Sequence, residues 1–194
     1  MEKKLADTVE EVRAAHPQAS VEVWAQDEAR LGLKPIVRRV WARRGRTHRP
    51  LCAGEHRYAW MYVFGFVRPA SGQAEWWLLG GVNTPAMSSV LAEFARVVGA
   101  GKDKRVILVL DRAGWHVSKD LIIPEGIHLL HLPASTPELQ PAERLWPPLR
   151  EAVANESFPD LAALDARLSE RCRQLSAQPG YIAACTHYHW WPLT

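Results

Sequence analysis

At 194 residues with 47% hydrophobic content, the chain is long and apolar enough for one domain with a real core, or one domain with a C-terminal extension, and nine Trp make that core aromatic-rich. Three widely spaced cysteines (Cys52, Cys172, Cys185) exclude a disulfide framework or a zinc pattern. The opening Met1-Glu-Lys-Lys-Leu-Ala lacks the apolar core of a signal peptide, and no run approaches the roughly 18 apolar residues of a membrane span, so a reducing, cytoplasmic setting is expected.

Residues 3–15 place Leu5, Val9 and Val12 at helical spacing, and Pro17 ends the pattern. Val21-Glu-Val-Trp-Ala-Gln-Asp27 alternates as a strand does, with Val21, Val23 and Ala25 on one face, and is expected to end at Asp27-Glu28. Pro35–Trp41 reads as a second extended segment. It leads into an arginine-rich loop with Gly45, and six arginines, Arg38, Arg39, Arg43, Arg44, Arg46 and Arg49, stand with no acid between them. The net charge is only +3, so this cluster matters more than the total. It is either an anion-binding surface suited to nucleic acid or a solvated hairpin. Tyr58–Val67 is a long strand rich in aromatic and β-branched residues; Pro69, Ser71 and Gly72 make a turn, and Ala74–Leu79 returns antiparallel.

From Thr84, read as an N-cap followed by Pro85, the residues Met87, Val90, Leu91, Phe94, Val97 and Val98 define the clearest helix, ending at Gly99 or Gly101. Arg105–Asp111 reads as a strand buried on both faces that stops at a carboxylate. A short helix is expected over 119–122, a strand over Gly126–Leu132, and a Pro-containing loop from Ala134 to Pro141. Helical spacing then runs from Ala142 to Val153, with a kink or restart at Pro147-Pro148, and a last helix covers about 161–175. The tail shows no clear element. The fold class is α/β with a mixed sheet, antiparallel at its start.

Three carboxylates stand out: Asp27, Asp111 and Glu143. If strands 21–27 and 105–111 are parallel neighbours, both aspartates end at one sheet edge, where ligand sites of open α/β sheets lie. Glu143 then returns to that edge near a helix start. Taken singly, each aspartate is equally a solvated turn residue, and Glu143 equally a complement to a helix dipole. Glu28, Asp120 and Glu138 are nearby decoys. Three carboxylates at one point repel unless a cation holds them, and all-oxygen ligation favours Mg²⁺ or Mn²⁺. Two such ions about 3.5–4 Å apart suit phosphodiester cleavage. His116 faces the metal site or DNA, or caps its loop; Trp115 and Trp146 read as packing residues. Cys185, His187 and His189 lack a second ligand pair, Gly80-Gly81 lacks a P-loop lysine, and no Gly-x-Ser-x-Gly elbow is present.

Four blocks, Trp24–Arg30, Val40–Gly45, Leu108-Val-Leu-Asp-Arg-Ala-Gly-Trp-His116 and Leu132-Pro-Ala-Ser-Thr-Pro-Glu-Leu-Gln-Pro-Ala-Glu-Arg-Leu-Trp146, resemble the catalytic domain of the DDE superfamily, in the bacterial insertion-sequence branch related to mariner transposases. The last two blocks carry most of the specificity. The resemblance implies a ribonuclease-H-like fold with a five-stranded mixed sheet. It implies metal-binding catalytic acids at Asp27, Asp111 and Glu143, with two Mg²⁺ or Mn²⁺ ions. The activity implied is cleavage at transposon ends followed by attack of a freed 3′-hydroxyl on target DNA. Arg112 stands where many relatives carry Asn, and Gln140 likewise; neither change removes a carboxylate. Arg112, His116 and the six arginines are the expected DNA contacts.

On this reading residues 1–20 are a lead-in and 21–194 the catalytic domain. The lead-in helix is too short to be the helix-turn-helix region such transposases carry. That region is expected from a separate or frameshifted frame, or lost by truncation, and the chain alone is expected to bind DNA weakly and without sequence preference. A homodimer on DNA, in a nucleoid-associated bacterial setting, is the expected assembly. The alternatives are a stand-alone ribonuclease-H-like nuclease and an inactive DNA-binding relic.

Overall fold

The computed structural model describes residues 1–41 and 57–192. Helix α1 (Glu2–Ala15) buries Leu5, Val9 and Val12, the three residues its spacing singled out. Strands β1 (Ser20–Gly32), β2 (Trp60–Arg68) and β3 (Gln73–Leu79) form an antiparallel meander. Helix α2 (Thr84–Val98) carries the chain back to β4 (Lys104–Leu110), which pairs parallel with β1, and β5 (Ile127–His131) adds parallel to β4. The sheet order is β3-β2-β1-β4-β5. Helices α3 (Trp146–Glu151), α4 (Leu161–Ser176) and α5 (Pro179–Thr186) follow.

The five-stranded mixed sheet with flanking helices is the expected one, and its two faces bury separate cores. On one face Val21, Val23, Ala25, Ala29 and Leu31 of β1 pack with α1, α4 and residues 141–149. On the other, Trp24, Phe64 and Phe66 pack with Met87, Leu91 and Phe94 of α2. Phe66 stacks on Phe94 at 4.2 Å between centroids, and Trp24 meets Phe94 edge-on at 5.2 Å. Strand β4, as its apolar run implies, has Val106 to Leu110 fully buried. Among the described residues, no helix is long and apolar enough to cross a membrane.

Several boundaries differ from the sequence reading. β1 does not stop at Asp27-Glu28 but runs on to Gly32, because β2 continues to pair with it from Ala25↔Val67 as far as Gly32↔Trp60. Among residues 35–41 there is no strand, only an isolated bridge between Ile36 and Ala154. The N-cap of α2 is Asn83, whose Oδ1 accepts from the Ala86 amide at 2.8 Å; Thr84 is already in the first turn. Its C-cap is Gly99, at φ +72°. Residues 119–122 form no helix: 119 and 120 are a turn, and 121 and 122 are irregular. At Pro147-Pro148 the chain restarts: Pro141–Leu145 is a 3₁₀ turn, and the two prolines occupy the first turn of α3, where backbone N–H groups have no intrahelical partner. α5 went unread because only Ile182 and Thr186 of its eight residues are buried, which leaves no apolar stripe.

Gly65 of β2 lies directly under Trp146. A Cβ placed there would stand 2.8 Å from Cη2 of the indole and 3.1 Å from a Leu145 methyl. Both side chains are buried and cannot swing away. Gly65→Ala is therefore expected to lower the free energy of unfolding by about 1–3 kcal/mol, measured by urea denaturation.

Candidate active site

Past Ala25 the sheet changes. The last β1–β4 pair is Ala25↔Val109, yet β1 continues for seven residues beside β2 alone. Continuing that register sets Asp27 level with Asp111. The open flank of β1 is where distant segments attach. Gln140, buried, donates from Nε2 to the carbonyl of Gln26 at 2.9 Å. Its own carbonyl accepts from the Glu143 amide at 3.2 Å, which ties the 141–145 turn to the strand. Asp27, Asp111 and Glu143 all line one cavity of about 310 Å³, whose wall also includes Arg112, Gln140 and Pro133. The structure thus brings the three sequence-chosen acids to one place. Among the described residues no three His, Cys, Asp or Glu side chains close around a single ion position. Glu138 and Asp120 are exposed and off the cavity wall.

Each aspartate is held differently. Asp27 falls in the odd-numbered row of β1, between Ala25 and Ala29, which faces an apolar core. Its Oδ2 accepts from the Trp146 indole N–H at 2.6 Å. Burial pushes its carboxyl up to about 7, against the Trp146 hydrogen bond, and the charges of Glu143 and Glu28 add to the rise. Asp111 lies one residue beyond β4 with a half-exposed side chain. Its Oδ1 meets His116 Nδ1 at 2.7 Å and accepts from the Ala113 amide at 2.9 Å. The His116 hydrogen bond, aided by Ala113, holds it below the usual carboxylate range. Trp146, expected only to pack, is thus also a polar partner of the first acid.

His116, expected among the DNA contacts, is buried. Its side chain has no exposure, and its second nitrogen, Nε2, faces Glu28 Oε1 at 3.0 Å. Burial alone would lower its pKa, but hydrogen bonds to Asp111 and Glu28 raise it to about 9. At neutral pH it is therefore an imidazolium that donates from both nitrogens. Glu28 also accepts from Trp115 Nε1 at 3.2 Å, so the residue set aside as a decoy is a central one. The only sequence signal for it was adjacency to Asp27.

Of the expected DNA contacts, Arg112 is exposed on the cavity wall. Arg38 and Arg39 are exposed, and Arg38 pairs with Glu151 at 3.2 Å. Arg43, Arg44, Arg46 and Arg49 lie outside the described residues.

Residues 22–165 match the family model described as DDE superfamily endonuclease. The chain is 35% identical over 132 residues to the uncharacterized protein y4pE/y4sA of Sinorhizobium fredii (strain NBRC 101917 / NGR234), covering 68% of this chain and 96% of that protein. Among solved structures it superposes on the Mos1 strand transfer complex with a TM-score of 0.59 at 16% identity, over 96% of this chain. It also superposes on the Mos1 mariner paired end complex with Mn, with a TM-score of 0.58 at 15% identity over 94% of this chain. The chain spans 60% and 61% of the length of those two Mos1 chains, and the likeness is one of fold.

The raised carboxyl of Asp27 has a consequence for stability. Its folded pKa of about 7 exceeds its unfolded value of 3.8, so its favourable contribution is full below pH 3.8 and is lost as pH rises through about 7. Asp27→Asn removes the titration and keeps an acceptor for Trp146. In EDTA, the variant is expected to gain stability over wild type progressively from about pH 4 to pH 7, by at most about 4 kcal/mol, with a constant difference above. Thermal unfolding across pH measures it; parallel curves would contradict the assignment.

Proposed function

The chain belongs to the DDE superfamily endonucleases, and we propose that it is the catalytic domain of a transposase that cuts DNA phosphodiester bonds and joins the freed 3′-hydroxyl to target DNA. The observation that carries this reading is the meeting of Asp27, Asp111 and Glu143, far apart in sequence, on the wall of one cavity. Holding Asp27 there costs stability: burial first, and then the charges of Glu143 and Glu28, push its carboxyl up to about 7. Such a cost is retained at functional sites that a cation or substrate will relieve.

The donor set suits a hard divalent cation. All three side chains offer oxygen only, which fits Mg²⁺ or Mn²⁺. Asp27, Asp111 and Glu143 would hold the metal, and the Mos1 paired-end structures obtained with Mn and with Mg accord with that choice. When bound, divalent ions activate the attacking oxygen and neutralise charge on the leaving one. The protein's own contributions are positional. The Trp146 indole fixes Oδ2 of Asp27, and Gln140 fixes the turn that carries Glu143. Arg112 places a cation at the cavity wall, where a phosphate backbone would pass. Arg38 and Arg39 extend positive charge along the exposed segment beyond β1.

Two measurements test the reading. With supercoiled plasmid and Mn²⁺, Asp27→Asn, Asp111→Asn and Glu143→Gln are each expected to reduce nicking at least about 100-fold, since even outer-shell partners of a metal cost 10–100-fold. Nicking that survives all three would refute a three-acid site. An assay for joining a 3′-end to a second duplex separates transferase from stand-alone nuclease; a chain that nicks but never joins is the nuclease.

The charge at the cavity wall is tested separately. Arg112→Ala is expected to reduce the slope of log affinity against log salt by about 0.9 for duplex DNA, the value for one lost phosphate contact. An unchanged slope would place Arg112 away from the backbone.

A further inference from the structure

Two buried polar side chains have no part in the chemistry proposed above: Glu28, with 7% of its side chain exposed, and His116, with none. They form a continuous chain. Glu28 Oε1 meets His116 Nε2 at 3.0 Å, and His116 Nδ1 meets Asp111 Oδ1 at 2.7 Å. Each end is braced again. Glu28 accepts from Trp115 Nε1 at 3.2 Å, and the His116 carbonyl faces His131 Nε2 of β5 at 3.2 Å.

The place of this chain in the sheet gives it a purpose. Asp111 stands beyond the end of β4, and the β1–β4 ladder stops at Ala25↔Val109. No ladder hydrogen bond therefore fixes Asp111 relative to Asp27. Glu28 is the next residue after Asp27 on β1. The link Glu28–His116–Asp111 thus ties the second acid to the strand that carries the first. It also decides which oxygen is presented. Asp111 Oδ1 already takes two donors, His116 and the Ala113 amide, which fills its two lone pairs. Oδ2 is left for the cavity.

We infer that Glu28 and His116 are positioning residues for Asp111, setting its distance from Asp27 and turning one chosen oxygen toward the cavity. This rests on the reading of the three acids as a metal-holding site. A loop-capping role alone would require only the bond from the Ala113 amide; it would not need a buried carboxylate from another strand on the far side of the imidazole. Outer-shell carboxylate–histidine pairs act on a site in this way, orienting a ligand without touching the reacting atoms.

The test is Mn²⁺ binding by the full chain without DNA, read by electron paramagnetic resonance, beside circular dichroism and thermal unfolding. Asp111→Asn should abolish the site. His116→Ala and Glu28→Ala should weaken Mn²⁺ binding about 10–100-fold while the fold is retained, and raise the Mn²⁺ needed for half-maximal nicking in step. Glu28→Gln keeps an oxygen that accepts from His116 and should recover most of the affinity. If His116→Ala fails to fold, Glu28→Ala carries the comparison with the imidazole in place. Wild-type binding that Asp111→Asn destroys, but that both alanine variants keep within about twofold, overturns this inference alone, being far under the outer-shell effect. A wild-type chain that binds no Mn²⁺ and nicks no DNA overturns the functional reading and this inference with it.

Discussion

Three consecutive residues of one strand hold the site together. Gln26 takes Gln140 on its carbonyl, Asp27 takes the Trp146 indole, and Glu28 takes His116 and Trp115. These bonds are available because β4 leaves β1 after Ala25 while β2 does not. A strand with one flank open must satisfy its polar groups from elsewhere. Here the partners come from 87 to 119 residues away in sequence, each near a second acid or its support. The step in the sheet thus leaves Asp27 beside the segments that line the cavity.

The arrangement trades stability for a poised carboxylate. Asp27 sits in a row whose other members, Val21, Val23, Ala25, Ala29 and Leu31, are core residues. The carboxyl is kept, half-buried, near Glu143 and Glu28, and its pKa rises to about 7. Asp111 is the opposite case: a half-exposed carboxylate held ionised by the His116 hydrogen bond and a backbone N–H. Two acids from one sheet edge are thus shifted in opposite directions by environment alone.

Rigidity around the acids comes from packing on both faces. Gly65 lets the Trp146 ring approach β2 closely, and Trp76 meets that ring edge-on at 6.3 Å between centroids. On the far face, Phe66, Phe94 and Trp24 interlock beneath Leu108. A close-packed sheet between two such layers cannot bend far. That stiffness holds the three acids at fixed separations, as the proposed site requires.

Much was determined by the chain as a string. The β-branched and Leu run of β4, the helical spacing of α2 and the order meander, helix, strand are local patterns, and local patterns survive reading without coordinates. The three acids were legible as runs that end in charge, and through the family resemblance of the blocks around them. What only tertiary structure decided is who neighbours whom. β1 outlasts Asp27 because β2 pairs with it there, a fact set by a partner strand and not by the residues after Asp27 themselves. Glu28, a decoy in sequence, became the anchor of His116 because a pleated strand turns successive side chains to opposite faces, and the loop after β4 folds over that other face. Trp146 became a donor to Asp27 because two prolines began a new helix at that point and aimed its indole at the strand. Spacing along a chain fixes period and face; contact between residues more than 80 positions apart depends on the whole sheet having closed first.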